Sequence, residues 1–300
     1  MRKIKALCNR KGSTILKDEN ANIRSYDIKK LDELYPGLFR LPFDQQIKRL
    51  IIGSLFLGTL TFCLWRTGFL NIKNIIDGFG KLYFVLQFML PPAHNGWLGE
   101  FLYAILQTLG MAFIGTLAAS LAAIPLGFLG AKNILPNWIF HFGLRRFFDG
   151  LRGIDALIWA LIFINMVGLG PFAGIFAIAV TDTGTLAKLF AEAIENIDRK
   201  QMEGVRASGA RYIQIIRYGI LPQILPVILS NALYFFESNT RSATILGVVG
   251  AGGIGLLLSD RIRVNNWDEA CFIIILILIT VSLIDMVSKN IRHRFIRSEG

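Results

Sequence analysis

Apolar residues occur in long blocks along this chain, and polar segments separate the blocks. Blocks long enough to cross a membrane as helices occupy residues 49–66, 100–124, 153–169, 171–188, 222–246 and 269–288. A spanning helix needs about 20 mostly apolar residues, because each residue rises ~1.5 Å and the hydrocarbon is ~30 Å thick. The pattern therefore predicts an all-α, polytopic membrane protein with about six transmembrane helices. Only the turn residues 168–171 separate the third and fourth blocks, so one bent span is an alternative there.

Two segments near the first spans have patterns of their own. Apolar residues recur at near-helical spacing from Ile72 to Leu82 with charged residues opposite, which predicts an interfacial helix that stops before Pro91. The second block is rich in Gly, Ala, Ser and Thr, the residue types that let membrane helices approach closely. Within that block, Pro125 is expected to end or kink the helix.

Composition and charge support the membrane assignment and add an orientation. Hydrophobic residues make up 53% of the chain, and the mean hydropathy is +0.51. The net charge of +11 comes from Lys and Arg that flank the spans, which argues against a nucleic-acid surface. Of the 32 basic residues, 26 lie in four segments that the predicted spans place on one side: 1–49, 125–152, 188–220 and 289–300. Basic loops stay cytoplasmic, so both termini are predicted to be cytoplasmic.

The same pattern divides the chain into regions. A cytoplasmic N-terminal tail and elbow cover residues 1–48, a transmembrane domain covers 49–288 with a cytoplasmic loop at 189–221, and a short tail covers 289–300. No signal peptide is evident, so we expect the first span to insert uncleaved. The three cysteines are scattered and lack metal-ligand spacing, so neither a disulfide nor a metal site is expected.

One polar, basic and helix-prone segment interrupts the apolar blocks. Residues 203–222 read EGVRASGARYIQIIRYGILP, with Gly209 six residues and Pro222 nineteen residues after Glu203. Gly209 permits a sharp turn between two short helices. Glu203 is expected to pair with Arg206 or Arg211. The apolar side chains expected to hold the second helix on the membrane domain are Tyr212, Ile213, Ile216 and Leu221. An ordinary basic connector between two spans is the alternative.

Charged residues inside the spans are candidates for a transport pathway, because burying them in a membrane is costly. Asp182 lies in VTDTG, where Thr181, Thr183 and Gly184 could hydrogen-bond it or line a polar cavity, and a structural role is as plausible as a pathway role. Glu237 and Arg241 are four residues apart and can neutralise each other on one helical face, which is favoured over a substrate contact. Asp155 and Asp285 are expected to be solvated or capping residues near span ends.

A glycine-rich segment follows the fifth span. Gly250, Gly252 and Gly255 satisfy GxGxxG, but a dinucleotide loop needs a preceding strand in a parallel sheet, which a membrane helix cannot supply. We interpret the segment, including Gly253, as packing or gating backbone, with anion binding by its N–H groups as the alternative. Motifs typical of ATP hydrolysis, metalloproteases and serine hydrolases are missing from the sequence, so an enzyme is not predicted.

Two stretches carry a family resemblance. Segment 203–222 resembles the EAA loop of ABC-importer permeases, and residues 150–287, including LRGIDALIWALIFINMVGLGPFAGIFAIAVTDTGTLAKLFAEAIE and NTRSATILGVVGAGGIGLLL, resemble the phosphonate-transport (PhnE-like) permeases. The resemblance implies the type I (MetI-like) importer fold, a homodimer in the bacterial inner membrane, two copies of a cytoplasmic ATPase that bind ATP and Mg, and a periplasmic or lipid-anchored solute-binding protein. This chain itself would bind no cofactor and no metal.

The resemblance also gives roles to residues. The residues expected to couple to the ATPase are Glu203, Arg206, Ser208, Gly209, Arg211, Tyr212, Leu221 and Pro222. The arguments above from buried charge and glycine content, rather than the resemblance, give the candidate pathway or gate residues, which are Asp182, Glu237, Arg241, Gly250, Gly252, Gly253 and Gly255. The substrate could be phosphonate, phosphate, phosphite or a related anion. A secondary transporter or channel for a small anion is the main alternative, and a membrane-embedded transferase is a more distant one.

Overall fold

A computed structural model of the protein describes residues 43–69, 72–134 and 138–297, and all regular structure in these ranges is helical. The predicted N-terminal tail falls almost entirely outside the described residues. The helices are α1 (Phe43–Arg66), α2 (Ile72–Phe88), α3 (Leu98–Gly130), α4 (Trp138–Gly153), α5 (Ala156–Val167), α6 (Pro171–Glu195), α7 (Arg199–Ala207), α8 (Tyr212–Ile215), α9 (Leu221–Leu246), α10 (Gly253–Arg263) and α11 (Trp267–Arg297). Single π-helical turns, Ile216–Ile220 and Gly247–Ala251, adjoin the two ends of α9.

The prediction of an all-helical membrane protein is confirmed. Within the described ranges, five helices are long and apolar enough to span a membrane: Ile47–Arg66, Leu98–Gly130, Pro171–Glu195, Tyr212–Ala251 and Trp267–Arg292. If the bent pair α4–α5 counts as one span, the number of candidate spans in these ranges is 6. Large apolar side chains are exposed on these helices, for example Leu106 on α3 and Leu278 on α11. Lipid is the environment that such surfaces require.

The chain divides into two compact units between Gly80 and Lys81. In the first unit, α1 begins at Phe43 and continues without a break past the predicted elbow boundary at residue 48. The hydroxyl groups of Thr59 and Thr67 donate to the carbonyls four residues earlier, at 2.8 and 2.9 Å. The Thr59 hydroxyl is therefore satisfied within α1 and the Thr67 hydroxyl against the last turn of α1, as an apolar environment demands.

In the second unit, α3 and α6 pack closely along most of their length. A Cβ atom on Gly115 would lie 2.8 Å from Cγ2 of Ile178, and one on Gly127 would lie 2.8 Å from Cβ of Phe190. Glycine thus sets the distance between the two helices. Pro125 is expected from the sequence either to end or to kink the helix. It does not end the helix, because α3 continues to Gly130. Packing of Gly127 and Gly130 against α6 and α4 holds this last stretch helical.

The third and fourth predicted spans are separate helices. α5 ends at Val167, and α6 begins at Pro171, which occupies its first turn where a missing N–H costs nothing. α5 has only 12 residues, about 18 Å of helix, too short to cross the hydrocarbon alone. It forms an 81° bend with the amphipathic helix α4. Asp155 caps α5 by accepting the Leu157 N–H at 2.9 Å.

Three apolar clusters hold the second unit together. One joins α3, α4, α6 and the start of α9 around Phe148, Phe190 and Ile224. The next joins α3, α5, α6 and the end of α9 around Met111 and Leu246. The last joins α3, α10 and α11 around Phe101 and Ile273. α3 contributes to all three, so it is the central helix of this unit.

Candidate functional site

The polar segment predicted between the spans forms a helix–turn–helix. α7 ends at Ala207 and α8 begins at Tyr212, and Gly209 between them has φ +80°. No atom outside the turn lies within 4 Å of a Cβ built on Gly209. Glycine is therefore needed here because the backbone is left-handed, and not because a side chain would clash with a neighbour. The Gln214 side chain accepts the Arg211 N–H at 2.7 Å and so closes the start of α8. We call residues 199–222 the coupling segment.

The coupling segment is fixed to α9 at its other end. Gln223 Oε1 accepts the Asp198 N–H at 3.0 Å, and Gln223 Nε2 donates to the Gly219 carbonyl at 2.6 Å. Asp198 in turn caps α7 by accepting the Lys200 N–H at 3.0 Å. A Cβ on Gly219 would lie 3.4 Å from Cα of Met202, so α7 packs closely on the π-helical turn. Sequence reasoning did not identify Asp198, Gln223 or Met202.

The face of α8 that packs on the protein differs from the predicted one. Ile215, Gly219 and Ile220 are buried, whereas Tyr212 is 53% and Ile213 is 77% exposed. The expectation that Tyr212, Ile213 and Leu221 hold this helix on the membrane domain is therefore wrong; of that set, only Ile216 packs against a buried cluster. The buried face instead runs from Ile215 at the end of α8 through Gly219 and Ile220 of the π-helical turn. Tyr212 Oη still contacts the Ile134 carbonyl at 3.4 Å.

The remaining predicted coupling residues are all exposed at the surface. Those classed as exposed are Glu203, Arg206, Ser208, Gly209, Arg211, Leu221 and Pro222. Among the residues that the structure describes, Glu203 makes no ion pair with Arg206 or Arg211, contrary to expectation. Ser208 Oγ donates to the Val205 carbonyl at 2.8 Å and ends α7. Lys200 and Arg217 are also exposed, so the surface is positively charged overall.

Asp182 lies in a buried polar cluster at the junction of three helices. Asn239 Nδ2 donates to Asp182 Oδ2 and, at 2.8 Å, to Thr116 Oγ1. All three residues are less than 9% exposed. The neighbouring threonines donate instead to carbonyls of their own helix, at 2.9 Å for Thr181 and 2.6 Å for Thr183, so the predicted local partners of Asp182 are wrong. The pattern within one helix could not identify Asn239 as the partner of Asp182, because the two residues lie 57 positions apart on different helices.

The glycine-rich segment forms a tight turn between α9 and α10. Gly250, Gly252 and Gly253 have φ of +109°, +83° and +72°. A Cβ at Gly255 would overlap the Thr244 carbonyl, and one at Gly250 would overlap Leu169. The Gly253 N–H donates to Gln107 Oε1 and the Ile254 N–H to Thr108 Oγ1, each at 2.9 Å. Side chains of α3 thus occupy the N–H groups that an anion could have used.

The same turn also contacts the connection between α5 and α6. The Gly170 N–H donates to the Gly250 carbonyl at 3.1 Å, and a Cβ on Gly252 would lie 3.2 Å from Cδ of Pro171. A cleft of about 310 Å³ lies beside these residues, lined by Gln107, Leu169, Gly170, Gly252 and other residues of α3 and α10. The turn is therefore held by two neighbouring parts of the fold.

Glu237 and Arg241 belong to a larger set that we call the ionic network, namely Glu237, Arg241, Asp285 and Arg292. Arg292 Nη2 donates to Glu237 Oε2 at 2.8 Å, and Arg241 Nη1 donates to Asp285 Oδ1 at 3.2 Å. The predicted pair within α9 is the longest contact, 3.8 Å from Arg241 Nη2 to Glu237 Oε1. Asp285 is therefore a partner in an interhelical contact and is not simply solvated, because antiparallel α9 and α11 place it opposite Arg241.

Comparison with known proteins gives the class. The family model of the binding-protein-dependent transport system inner membrane component matches residues 123–298. The chain belongs to this family of ABC-transporter permeases, multi-pass inner membrane subunits that work with a solute-binding protein and a separate ATPase subunit. This membership decides against the secondary-transporter, channel and transferase alternatives. The match covers all of α4 to α11, including the coupling segment and the glycine-rich turn.

Individual relatives narrow the family further. The putative phosphite transport system permease protein HtxC of Stutzerimonas stutzeri is 35% identical over 248 residues, 82% of this chain and 87% of the relative. The putative cryptic phosphonate transport system permease protein PhnE2 of Escherichia coli is 48% identical over 120 residues, 40% of this chain and 98% of the relative. These similarities confirm the phosphonate-transport-type, PhnE-like resemblance of the sequence.

A solved structure shows the same fold. The inward-facing MetNI methionine ABC transporter aligns with a TM-score of 0.60 at 22% identity, over 68% of this chain and 99% of the matched chain. At this identity the likeness carries the fold alone, which is the type I importer fold that the resemblance implied.

Proposed function

We propose that this protein is the permease subunit of an ATP-driven importer for phosphonate or a related phosphorus oxyanion. The observation that carries the substrate class is the 35% identity to a putative phosphite permease across 87% of that relative. Phosphite, phosphonate and phosphate share a tetrahedral phosphorus with anionic oxygens. The solute-binding protein would select among them, and this chain would form the path.

The assembly proposed for this chain is a homodimer with two ATPase subunits and one solute-binding protein. ATP and Mg would bind to the ATPases, and this chain would bind neither. We place the coupling segment and both termini in the cytoplasm, because 26 of the 32 basic residues lie on that side of the predicted spans. The solute-binding protein would then meet the opposite face, which carries the glycine-rich turn.

The coupling segment suits contact with an ATPase for two reasons. Its outer surface presents Arg206, Arg211 and the apolar Ile213, which is 77% exposed and is not covered by any residue that the structure describes. Its inner attachments, the Gln223 hydrogen bonds and the contact of Met202 with Gly219, tie it to α9. A force on the exposed surface would therefore reach α9 without being absorbed by a flexible joint.

The glycine-rich turn is proposed as part of an outer gate. It makes two side-chain hydrogen bonds to α3 and one backbone hydrogen bond to the α5–α6 connection, so three separable contacts hold it in place. Each such bond contributes only about 1 kcal/mol net, and a turn held in this way can be released by movement of α9. Asp182 would serve the helix junction through Asn239.

Reconstitution tests the proposal. The chain is co-purified with its partner ATPase and solute-binding protein and placed in vesicles, and uptake of labelled phosphite, methylphosphonate, phosphate and methionine is compared. We expect uptake of at least one phosphorus oxyanion that requires both ATP and the binding protein, and no uptake of methionine. Methionine uptake, or oxyanion uptake driven by a gradient without the ATPase, would refute the proposal.

A further inference from the structure

The ionic network is electrically balanced and mainly interhelical. It contains two carboxylates and two guanidinium groups, and its two shortest contacts, 2.8 and 3.2 Å, each join α9 to α11. Both cations have carboxylate partners, so the network holds no surplus positive charge to attract a passing anion. Its geometry therefore favours a link between helices over a substrate contact at Arg241.

Among the residues that the structure describes, no cluster of buried apolar residues supplies a link between α9 and α11. The buried apolar clusters of the described ranges join α9 to α3 and α6, and α11 to α3 and α10, but no cluster of buried residues contains both α9 and α11. Around the network, Leu283, Met286 and Val287 of α11 are more than half exposed. Further along the two helices, Thr240 and Thr244 of α9 line one small cavity with residues of α11, so the four charged side chains add a specific polar link to this packing.

The network is also connected to the coupling segment through one continuous element. Residues Tyr212–Ala251 form a single candidate span in which α8, the π-helical turn and α9 follow without a break. Glu237 lies on this element, and its side chain is only 12% exposed. Without Arg292, Glu237 would keep, among the described residues, only the 3.8 Å contact with Arg241 of its own helix. Removing one partner of a buried ion pair costs about 3–5 kcal/mol, so α11 does not separate from α9 here at little cost.

We propose that the ionic network makes α11 move together with α9, so that a displacement of the coupling segment reaches α11. Glu237 and Arg292 are the principal positioning residues, because they make the shortest contact and Glu237 is the most buried of the four side chains. Tyr234 supports them, since the Arg292 guanidinium lies 5.9 Å from its ring centroid. This role rests on the proposed transport function and extends it to a residue pair outside the coupling segment and the glycine-rich turn.

The test compares Arg292→Gln, the neutral pair Glu237→Gln with Arg292→Gln, and the exchanged pair Glu237→Arg with Arg292→Glu. Lys289→Gln on the exposed side of α11 is the matched control for loss of one positive charge. In the reconstituted complex we expect Arg292→Gln and the neutral pair to retain ATP hydrolysis but to transport at least about fivefold less per ATP, the lower end of typical coupling effects. The exchanged pair should regain much of this loss, and Lys289→Gln should match the wild type.

A distance measurement gives a readout that does not depend on transport. Spin labels at the exposed positions Leu229 on α9 and Ile291 on α11 should report one narrow distance distribution in the wild type, with and without nucleotide. The neutral pair, Glu237→Gln with Arg292→Gln, should broaden this distance distribution. An unchanged distribution together with normal transport in the neutral pair would overturn the link. Failure of that pair to assemble would also overturn it, because the contact would then be a folding requirement. A wild-type complex that transports no oxyanion would refute the proposed function alone, since the distance test still applies.

Discussion

Gln223 Oε1, at the start of α9, accepts the backbone N–H of Asp198 at 3.0 Å. The two residues lie at opposite ends of the coupling segment, and Asp198 is also the cap of α7. One side chain therefore closes the segment into a loop whose two ends are joined. This closure explains how an exposed helix pair with few buried residues can hold a fixed orientation on the membrane domain.

Replacing Gln223 with Leu should loosen the coupling segment while α9 stays intact. The substitution removes the acceptor for Asp198 and the bond to Gly219, each worth about 1 kcal/mol. We expect roughly tenfold faster amide hydrogen exchange in residues 199–207. Gln201→Leu, at an exposed position of α7, is the control and should leave exchange unchanged. Equal protection in both variants would show that the closure contributes nothing.

Gly209→Val should abolish coupling without preventing membrane insertion. Gly209 has φ +80°, a conformation that costs a non-glycine residue about 1–3 kcal/mol and a β-branched residue most of all. ATP-dependent uptake by the reconstituted complex should fall by about tenfold or more. Gly209→Asn should retain more activity, because asparagine tolerates the left-handed region.

Gly204→Val is the matched control for Gly209→Val. Gly204 is exposed within α7 in an ordinary helical conformation, and a Cβ there meets no atom within 4 Å. The same change in volume and branching should therefore cost only the modest helix propensity difference. Transport near the wild-type level in Gly209→Val, or an equal loss in Gly204→Val, would remove the turn from the mechanism.

Labelling with an impermeant thiol reagent tests the proposed orientation. In a background without native cysteines, a cysteine at Asn265, exposed between α10 and α11, should react in intact cells. A cysteine at Gln214 in α8 should react only after permeabilisation, because the positive loops are placed in the cytoplasm. Reaction at Gln214 in intact cells would reverse the orientation and separate the coupling segment from any cytoplasmic ATPase.

The elements that the sequence predicted correctly are those that depend on local pattern. Apolar blocks of about 20 residues placed the spans, and the spacing around Gly209 placed the helix turn. The contacts that the sequence could not predict depend on which helix faces meet. Gln107 and Gly253, which are hydrogen-bonded, lie 146 positions apart, and Arg292 and Glu237 lie 55 positions apart. The sequence also did not predict the π-helical turn at Ile216–Ile220, whose residues Gly219 and Ile220 are buried, because no residue type marks such a turn reliably.

Asn239→Leu should destabilise the membrane domain through Asp182. The leucine removes the one hydrogen-bond donor that Asp182 has among the described residues and leaves a buried carboxyl group unsatisfied, at a cost of about 1–3 kcal/mol. Thermal unfolding in detergent should occur several degrees lower. The double variant Asn239→Leu with Asp182→Leu should recover part of this loss, because it leaves no unsatisfied polar group. Additive losses in the double variant would show that the two residues act separately.

The glycine-rich turn should tolerate no side chain at Gly255, whereas α3 tolerates one at a nearby glycine. A Cβ at Gly255 would overlap the Thr244 carbonyl, a backbone atom that cannot rotate away, so Gly255→Ala forces α9 and α10 apart. This separation should loosen the hydrogen bonds from Gly253 and Ile254 to α3. We expect raised ATP hydrolysis in the absence of the solute-binding protein together with reduced uptake, as a gate that fails to close would produce. Gly110→Ala on α3, where a Cβ meets no atom within 4 Å, is the control and should behave as the wild type. A Gly255→Ala complex with normal uptake and normal dependence on the binding protein would show that the turn accommodates the methyl group and that its close packing is not needed for gating.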